Sequence, residues 1–255
     1  MIKKDFDIID IHAHLGSYFQ FPIRKNELKG IVKTAESYGI KKMCVSHMFN
    51  FQYDSIEGNT LAYNAVKEFS DLFLFGGVLD PRWDESKIEV QFLKINPYVS
   101  MWNELHPALH QYPISGKGYR IILDLIRKNP KPVLFHTDES DQYSKPGQLY
   151  KVAKLYPEIF FIIGHSGNVI GGFEIAVDIV KKYDNVFLDS TFSRNYLGLM
   201  KWMIKKVGPE KILFGSDIPF LNGAAQIGKL YEDGISDNDR EKIFHDNAVK
   251  LLKIG

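Results

Sequence analysis

The 255-residue sequence has little of several features that mark secreted or membrane-bound proteins. Cys44 is its single cysteine, so an internal disulfide is excluded and a reducing compartment is expected. No run approaches the roughly 18 apolar residues of a membrane span, and the first residues lack the apolar core of a signal peptide. We therefore predict a cytoplasmic protein that has no membrane partner.

The sequence also has almost no net charge, with 32 basic and 31 acidic side chains. Proteins that bind nucleic acid usually carry a broad positive field, which this balance does not provide. A small molecule is the expected substrate, and a homo-oligomer is left open. What the chain does have is 45% hydrophobic residues, enough for a sizeable core.

The length and the patterning predict an α/β fold, a TIM-type (β/α)8 barrel that forms a single domain over residues 1–255. Short apolar runs alternate with amphipathic segments, which is typical of parallel strands joined by helices. Strands are predicted at 6–12, 42–48, 72–79, 90–96, 132–136, 160–164, 185–189 and 211–215. Helices are predicted at 25–38, 59–70, 118–129, 146–156, 172–183, 196–206 and 236–253.

Polar residues of one chemical kind follow several of these strands. His12 and His14 stand two apart on the first strand, so they point to one side and supply half of a four-coordinate metal site. His136, His165 and Asp217 end three later apolar runs. Each alone has a structural explanation, because histidines occur in cores and Asp217 suits a helix start. Their shared position at strand ends favours one metal site.

Residues 97–117 are aromatic, polar and longer than an ordinary connection between strand and helix. Because active sites of such barrels lie at the carboxyl ends of the strands, we expect this segment to cover the barrel mouth. Tyr98, Trp102, His106 and His110 are candidate substrate contacts, with packing inside the loop as the alternative for each.

The motifs at the strand ends resemble the amidohydrolase superfamily, in particular its amidohydrolase-2 branch, which contains aminocarboxymuconate semialdehyde decarboxylase-like enzymes. The resemblance rests on Asp-Ile-His-Ala-His-Leu-Gly at 10–16, Pro-Val-Leu-Phe-His-Thr at 132–137, Ile-Ile-Gly-His-Ser-Gly at 162–167 and Leu-Phe-Gly-Ser-Asp-Ile-Pro at 213–219. These motifs run through nearly the whole chain in the family's order.

The resemblance implies that His12, His14, His136 and Asp217 bind one divalent metal ion, most simply zinc, with manganese or iron as alternatives. His165 resembles the histidine that orients or deprotonates the metal-bound water, and His165 or Asp217 would transfer the proton. Two-metal relatives place a carboxylated lysine on strand 4, for which Lys94 is the candidate, with a salt bridge as the alternative.

The family often shows Lys-x-His-Pro on strand 4, whereas the predicted strand has Asn96 before Pro97. Related hydrolases that act on DNA carry a strand-4 glutamate in a Gly-Glu-x-Gly-like context, which is not found here. The first feature departs from the family pattern at a position of local substrate contacts, and the second disfavours a hydrolase that acts on DNA.

Hydrolysis of an amide, ester or lactone by a metal-activated water is the predicted reaction, because it requires only the metal site. The alternative is non-oxidative decarboxylation, and a non-catalytic metal-binding protein is the third reading. Arg82 or Arg194 would hold a substrate carboxylate, unless they form ordinary ion pairs. A serine hydrolase is disfavoured because Gly164-His165-Ser166-Gly167 lacks the Gly-x-Ser-x-Gly spacing.

Overall fold

The computed structural model describes residues 6–20, 22–194, 196–232 and 234–254. Its eight strands are parallel, and each pairs with the next one in chain order. The strands are β1 (Ile8–Leu15), β2 (Ile40–His47), β3 (Phe73–Gly77), β4 (Met101–Leu105), β5 (Val133–His136), β6 (Phe161–Gly164), β7 (Val186–Asp189) and β8 (Ile212–Leu213). This arrangement confirms the predicted (β/α)8 barrel.

The barrel is closed by hydrogen bonds between β1 and the segment that follows β8. The backbone N–H of Ile11 donates to the Phe214 carbonyl, and the N–H of Asp217 donates to the His12 carbonyl, at 3.0 and 2.7 Å. This closure brings the metal-ligand candidates of the first and last strands to the same edge of the barrel.

Twelve α-helices surround the strands within the described residues, and none of them is both long and apolar enough to cross a membrane. They are α1 (Leu28–Tyr38), α2 (Phe49–Gln52), α3 (Ser55–Glu68), α4 (Glu85–Ile95), α5 (Pro107–His110), α6 (Lys117–Ile126), α7 (Leu149–Leu155), α8 (Ile170–Lys182), α9 (Leu199–Val207), α10 (Gly223–Gly228), α11 (Asp237–Glu241) and α12 (Asn247–Leu252). A π-helical segment, Lys242–Asp246, joins α11 to α12.

A bulge in β1 turns its two histidines toward the barrel interior. Ile9 and Ile11 belong to the apolar cluster inside the barrel, whereas Ala13 and Leu15 pack in the layer between strands and helices. The pairing of β1 with β2 shifts register between Asp10 and Ala13, which inverts the alternation of side chains. His12 and His14, which stand on either side of Ala13, therefore face inward.

The predicted strand at 90–96 is wrong, because residues 90–95 belong to α4 and the true fourth strand is Met101–Leu105. The side-chain oxygen of Asp84 accepts a hydrogen bond from the backbone N–H of Lys87 and so caps α4. Ile88 and Phe92, four residues apart, bury one face of this helix. The 97–117 segment therefore contains a barrel strand as well as a connection.

Candidate metal centre and active-site cavity

Glu104 on β4 lies at the centre of a group of histidines at the carboxyl end of the barrel. Its side chain is 2% exposed, and five imidazoles approach its carboxylate. The distances from Glu104 Oε1 are 3.0 Å to His136 Nδ1, and 3.5 Å to both His12 Nε2 and His165 Nε2. From Oε2 they are 3.8 Å to His14 Nε2 and 4.0 Å to His106 Nε2.

The charge of this central carboxylate is stabilised by the imidazoles. Burial alone would raise the pKa of Glu104, but its interactions with His12 and His136 outweigh burial and hold the pKa well below its usual value. Glu104 is therefore ionised at neutral pH. We call Glu104 and the five histidines around it the floor of the site, and the negative charge of Glu104 makes this floor attractive to a cation.

His12 has the geometry of a metal ligand, because a carboxylate holds one ring nitrogen and the other has no hydrogen-bond partner in the part of the chain that the structure describes. Its Nδ1 donates to Asp189 Oδ2 at 2.7 Å, while its buried Nε2 has no hydrogen-bond partner among the described residues. Burial lowers the pKa of His12, but the carboxylates of Glu104 and Asp189 outweigh burial and raise this pKa well above its ordinary value. The site thus favours positive charge at Nε2, and a carboxylate behind a histidine is the usual support for a ligating nitrogen.

His14 and Asp217 complete the first group that fits a cation. The candidate ligand atoms of His12, His14 and Asp217 lie within 4.8 Å of one another, and all three residues are buried. His14 Nε2 is 3.3 Å from Asp217 Oδ1, and its Nδ1 is hydrogen-bonded to the Ser46 hydroxyl at 3.0 Å. Two nitrogen atoms and one oxygen atom held in this way suit a divalent transition metal.

Beneath these groups, Asp10 fixes the backbone that carries them. Its Oδ1 accepts from the backbone N–H groups of His12 and Ser216, both at 3.0 Å. Burial raises the pKa of Asp10 to about 7. Asp10 thus ties β1 to the segment after β8 instead of facing the cavity.

His165 is placed by a turn of left-handed backbone after β6. The φ angles of His165, Ser166, Gly167 and Asn168 are 55°, 48°, 86° and 61°. Such a run of positive angles is strained for residues other than glycine. It is held in place because the backbone N–H of His165 donates to Asp189 Oδ2 at 3.1 Å, and the Ser166 hydroxyl donates to the Asp189 carbonyl at 2.6 Å.

His136 and His106 form the other side of the floor. Their rings stack with centroids 3.8 Å apart and planes inclined by 13°. Burial and the charge of His136 hold the pKa of His106 well below its ordinary value, although Glu104 opposes them. Glu104, His106 and His136 form a further group whose candidate ligand atoms lie within 4.8 Å of one another.

A cavity of about 170 Å³ opens above this floor. Apolar and polar side chains both line it, and no lysine or arginine lines it within the described ranges. The lining residues are His14, Tyr18, Met48, Glu104, His106, Leu109, His136, His165, Asn168, Ser193, Asp217 and Phe220. Because no lysine or arginine in the lining faces the carboxylates of Glu104 and Asp217, the residues fit a bound metal cation.

The structure brings the predicted ligands and His165 to one place, but it separates several other candidates from the cavity. Tyr98 is exposed and packs against Tyr63 of α3, with ring centroids 4.9 Å apart. Trp102, a buried residue of β4, stacks on Phe92 of α4. Neither side chain lines the cavity, so we correct their assignment as substrate contacts.

Three basic candidates also lie outside the cavity lining. Lys94 lies on the exposed side of α4, so its assignment as a metal-bridging lysine is wrong; it rested on reading a helix as strand 4. Arg194 is exposed on the loop after β7, next to Ser193 but outside the cavity lining. Arg82 forms an ion pair with Asp80, in which Arg82 Nε is 2.8 Å from Asp80 Oδ1. Of the four candidates that the sequence offered within residues 97–117, His106 alone lines the cavity.

Two site residues were missed by the sequence reasoning, Glu104 and Asp189. Glu104 belongs to Glu104-Leu105-His106-Pro107, which matches the family's strand-4 Lys-x-His-Pro with glutamate in place of lysine. The chain therefore has a strand-4 glutamate after all. Asp189 ends the apolar run of β7 just as Asp217 follows that of β8, and this pattern was a usable signal.

Comparison with known proteins connects this geometry to a family. The sequence model of the amidohydrolase family matches residues 9–254. The 2-amino-3-carboxymuconate-6-semialdehyde decarboxylase of Caenorhabditis elegans is 31% identical over 106 residues, which are 39% of this chain and 25% of that protein. The matched region thus spans a quarter of that curated relative.

Solved structures show the same fold at low identity. An uncharacterized TIM-barrel protein from Bordetella bronchiseptica has a TM-score of 0.78 at 14% identity, over 98% of this chain and 99% of that one. A dihydroxybenzoic acid decarboxylase from a Polaromonas species, with bound manganese and 2-nitroresorcinol, has a TM-score of 0.74 at 16% identity, over 98% and 97%.

These similarities overturn the predicted hydrolysis of an amide, ester or lactone as the main reaction. The curated relative and most of the similar structures with a named activity are decarboxylases of carboxylic acids, although one is a probable 2-pyrone-4,6-dicarboxylic acid hydrolase. The prediction favoured hydrolysis because a metal site alone suffices for it. The same ligands serve both reactions, so the ligand set does not distinguish them.

Proposed function

Because this chain belongs to the amidohydrolase family, we propose that it is a metal-dependent enzyme that decarboxylates a small planar carboxylic acid without oxidation. The observation that carries the proposal is a small cavity, lined in part by apolar side chains, directly above a cluster of imidazoles and carboxylates. The decarboxylase activities named for the relatives support this choice of reaction.

We propose that His12, His14 and Asp217 hold the metal, with His136 and Glu104 as further ligands. Asp189 would support His12 by holding its Nδ1 proton, which leaves Nε2 free to ligate. When bound, the ion would neutralise the carboxylates and attract the negative oxygen atoms of the substrate. Zinc, the ion favoured by the sequence, and manganese, which is bound in related structures, are the candidates.

The cavity limits the substrate to a compact acid. Its volume of about 170 Å³ is close to that of an apolar cavity of ~150 Å³ that holds benzene in another protein. Tyr18 and Phe220 form one wall, and Met48 and Leu109 contribute further apolar surface. A single flat ring or conjugated chain fits such walls, and its carboxylate would point toward the floor.

The reaction requires one proton for each carboxylate removed. The bond between the substrate carbon and the carboxylate breaks, its electron pair stays on that carbon, carbon dioxide leaves, and a proton takes its place. We propose that His165 delivers this proton, because it lines the cavity and its Nε2 lies 3.5 Å from Glu104 Oε1, at the centre of the site. The left-handed turn after β6 would hold the imidazole in this position.

The test is a panel of monocyclic and conjugated carboxylic acids, offered to protein loaded with zinc or with manganese. Release of carbon dioxide from a carboxyl-labelled acid, with one deuterium incorporated per product in D2O, supports the proposal. In His165→Asn we expect kcat to fall by about 10²–10⁴ while the metal is retained. Lys94→Ala, on the exposed side of α4, is the matched control and should leave kcat unchanged.

Lactone or amide cleavage by the metal-loaded protein, with no carbon dioxide from any acid, would contradict the proposed reaction. Full activity in His165→Asn would instead contradict the role of this residue and leave the reaction standing.

A further inference from the structure

His106 has one ring nitrogen committed to a helix terminus. It is the N-cap residue of α5, and its Nδ1 accepts a hydrogen bond from the backbone N–H of Leu109 at 3.2 Å. A ring nitrogen that accepts a hydrogen bond carries no proton, so the neutral imidazole must carry its proton on Nε2. The structure therefore selects one tautomer of this histidine.

The orientation of the His106 ring is also fixed. One face stacks on the His136 ring at a centroid distance of 3.8 Å. At the other end of α5, buried His110 lies between two neighbours: Nδ1 is 3.3 Å from the Tyr119 hydroxyl and Nε2 is 3.4 Å from the Asn50 carbonyl. These contacts anchor the four-residue helix and hence the direction in which His106 Nε2 points.

His106 lines the cavity, and its Nε2 has no partner among the described residues that accepts its proton. The nearest carboxylate oxygen is Glu104 Oε2 at 4.0 Å, which is beyond hydrogen-bond distance, and no other described side chain or backbone carbonyl accepts from it. The capping bond also argues against metal ligation through Nε2. A ligating Nε2 would move the proton to Nδ1, directly against the Leu109 N–H.

We propose that His106 determines specificity by donating its Nε2 proton to an oxygen atom of the substrate that is separate from the reacting carboxylate. The site then selects acids that carry an additional acceptor oxygen, such as an ortho hydroxyl group, over acids that lack one. This inference rests on the proposed function for its substrate class, but the state of the imidazole is a property of the protein alone.

The experiment has a spectroscopic arm and a binding arm. Long-range ¹⁵N–¹H correlation spectra of histidine-labelled protein should show His106 as the Nε2–H tautomer near pH 7.5, before and after zinc is added. Its signals are assigned by their loss in His106→Asn. An Nδ1–H tautomer, an imidazolium, or a zinc-induced change that shows coordination through Nε2 would overturn the proposal.

The binding arm compares 2-hydroxybenzoate with benzoate by calorimetry on zinc-loaded protein. Wild type should prefer the hydroxylated acid by about tenfold, the order expected for one hydrogen bond, and His106→Asn should lose this preference. Asparagine keeps a cap acceptor for Leu109, so its melting temperature should stay near that of wild type, whereas His106→Ala should melt lower.

An unchanged preference in His106→Asn would overturn the proposal. If wild type binds neither acid and turns over none, the proposed function fails, and the spectra alone then decide the state of His106. The two failures are therefore distinguishable.

Discussion

Replacing Glu104 by glutamine removes the charge at the centre of the site while it preserves the shape of the side chain. The carboxylate lies 3.0 Å from His136 Nδ1 and 3.5 Å from the Nε2 atoms of His12 and His165. An amide at this position offers one weaker acceptor oxygen, and its NH2 group faces nitrogen atoms that need an acceptor or a cation. We therefore expect Glu104→Gln to weaken metal binding.

The size of the loss follows from the position of Glu104. Removing an outer partner of a metal ligand typically costs 10–100-fold in affinity. Because Glu104 lies among the candidate ligands and is ionised, we expect at least a ~100-fold loss, which is about 2.8 kcal/mol. A metal concentration of ~100 times Kd stabilises wild type by about 2.7 kcal/mol. For a chain of this size that corresponds to a melting-temperature rise of about 5–10 °C, which should nearly vanish in the variant.

The assay is a metal titration followed by mass spectrometry of metal per chain and by thermal melts, each variant being compared with its own metal-free form. Glu241→Gln, at an exposed position of α11, is the matched control and should behave like wild type. Wild-type metal affinity in Glu104→Gln would refute the reasoning that the β4 carboxylate completes the metal site. Two equivalents of metal in wild type and one in the variant would show that Glu104 serves a second ion.

Three further changes test the surroundings of the site. Asp189→Asn should weaken metal binding by about 10–100-fold, measured by chelator competition, because the amide no longer fixes the His12 tautomer. Gly215→Ala should lower the unfolding free energy by about 1–3 kcal/mol in denaturant melts, since a Cβ there would lie 2.5 Å from Asp189 Oδ1. Lys229→Met should raise the melting temperature by about 2–4 °C at pH 6, because burial lowers the folded-state pKa of Lys229 to about 7. This gain should shrink as the pH rises from 7 to 10, because the folded wild type loses the Lys229 proton in this range while its unfolded chain keeps it. A melting-temperature difference that stays constant with pH would contradict the prediction.

Most barrel strands were predictable because the core demands apolar residues where the barrel is filled. Val133–His136 and Phe161–Gly164 have buried apolar residues from first to third position and change character only at the mouth. There the side chains face the cavity, so a histidine after such a run carries information about function. The same logic identified Asp217, which follows the short β8.

The fourth strand escaped prediction because its inward positions near the mouth are polar. Asn103 and Glu104 interrupt Met101–Leu105, so no apolar run marks the strand. The neighbouring Ile88–Ile95 region shows a local alternation of polar and apolar residues, yet Asp84 caps it as a helix. Because the predicted strand begins eleven residues before β4, Glu104 was not recognised as a site residue. For the same reason Lys94 was given a role that its exposed position rules out.

The type of reaction is encoded in parts of the site that strand patterns do not describe. Metal binding requires particular residue types, and these are visible at His12, His14 and Asp217. The choice between adding water and removing carbon dioxide depends instead on the cavity walls, on which group delivers a proton, and on which tautomer each imidazole adopts. These properties arise from contacts between distant segments, such as the His106 cap on α5 and the His165 turn held by Asp189. A sequence that shows the candidate ligands of an ion therefore leaves the reaction to be determined from the shape and the hydrogen bonds of the folded site.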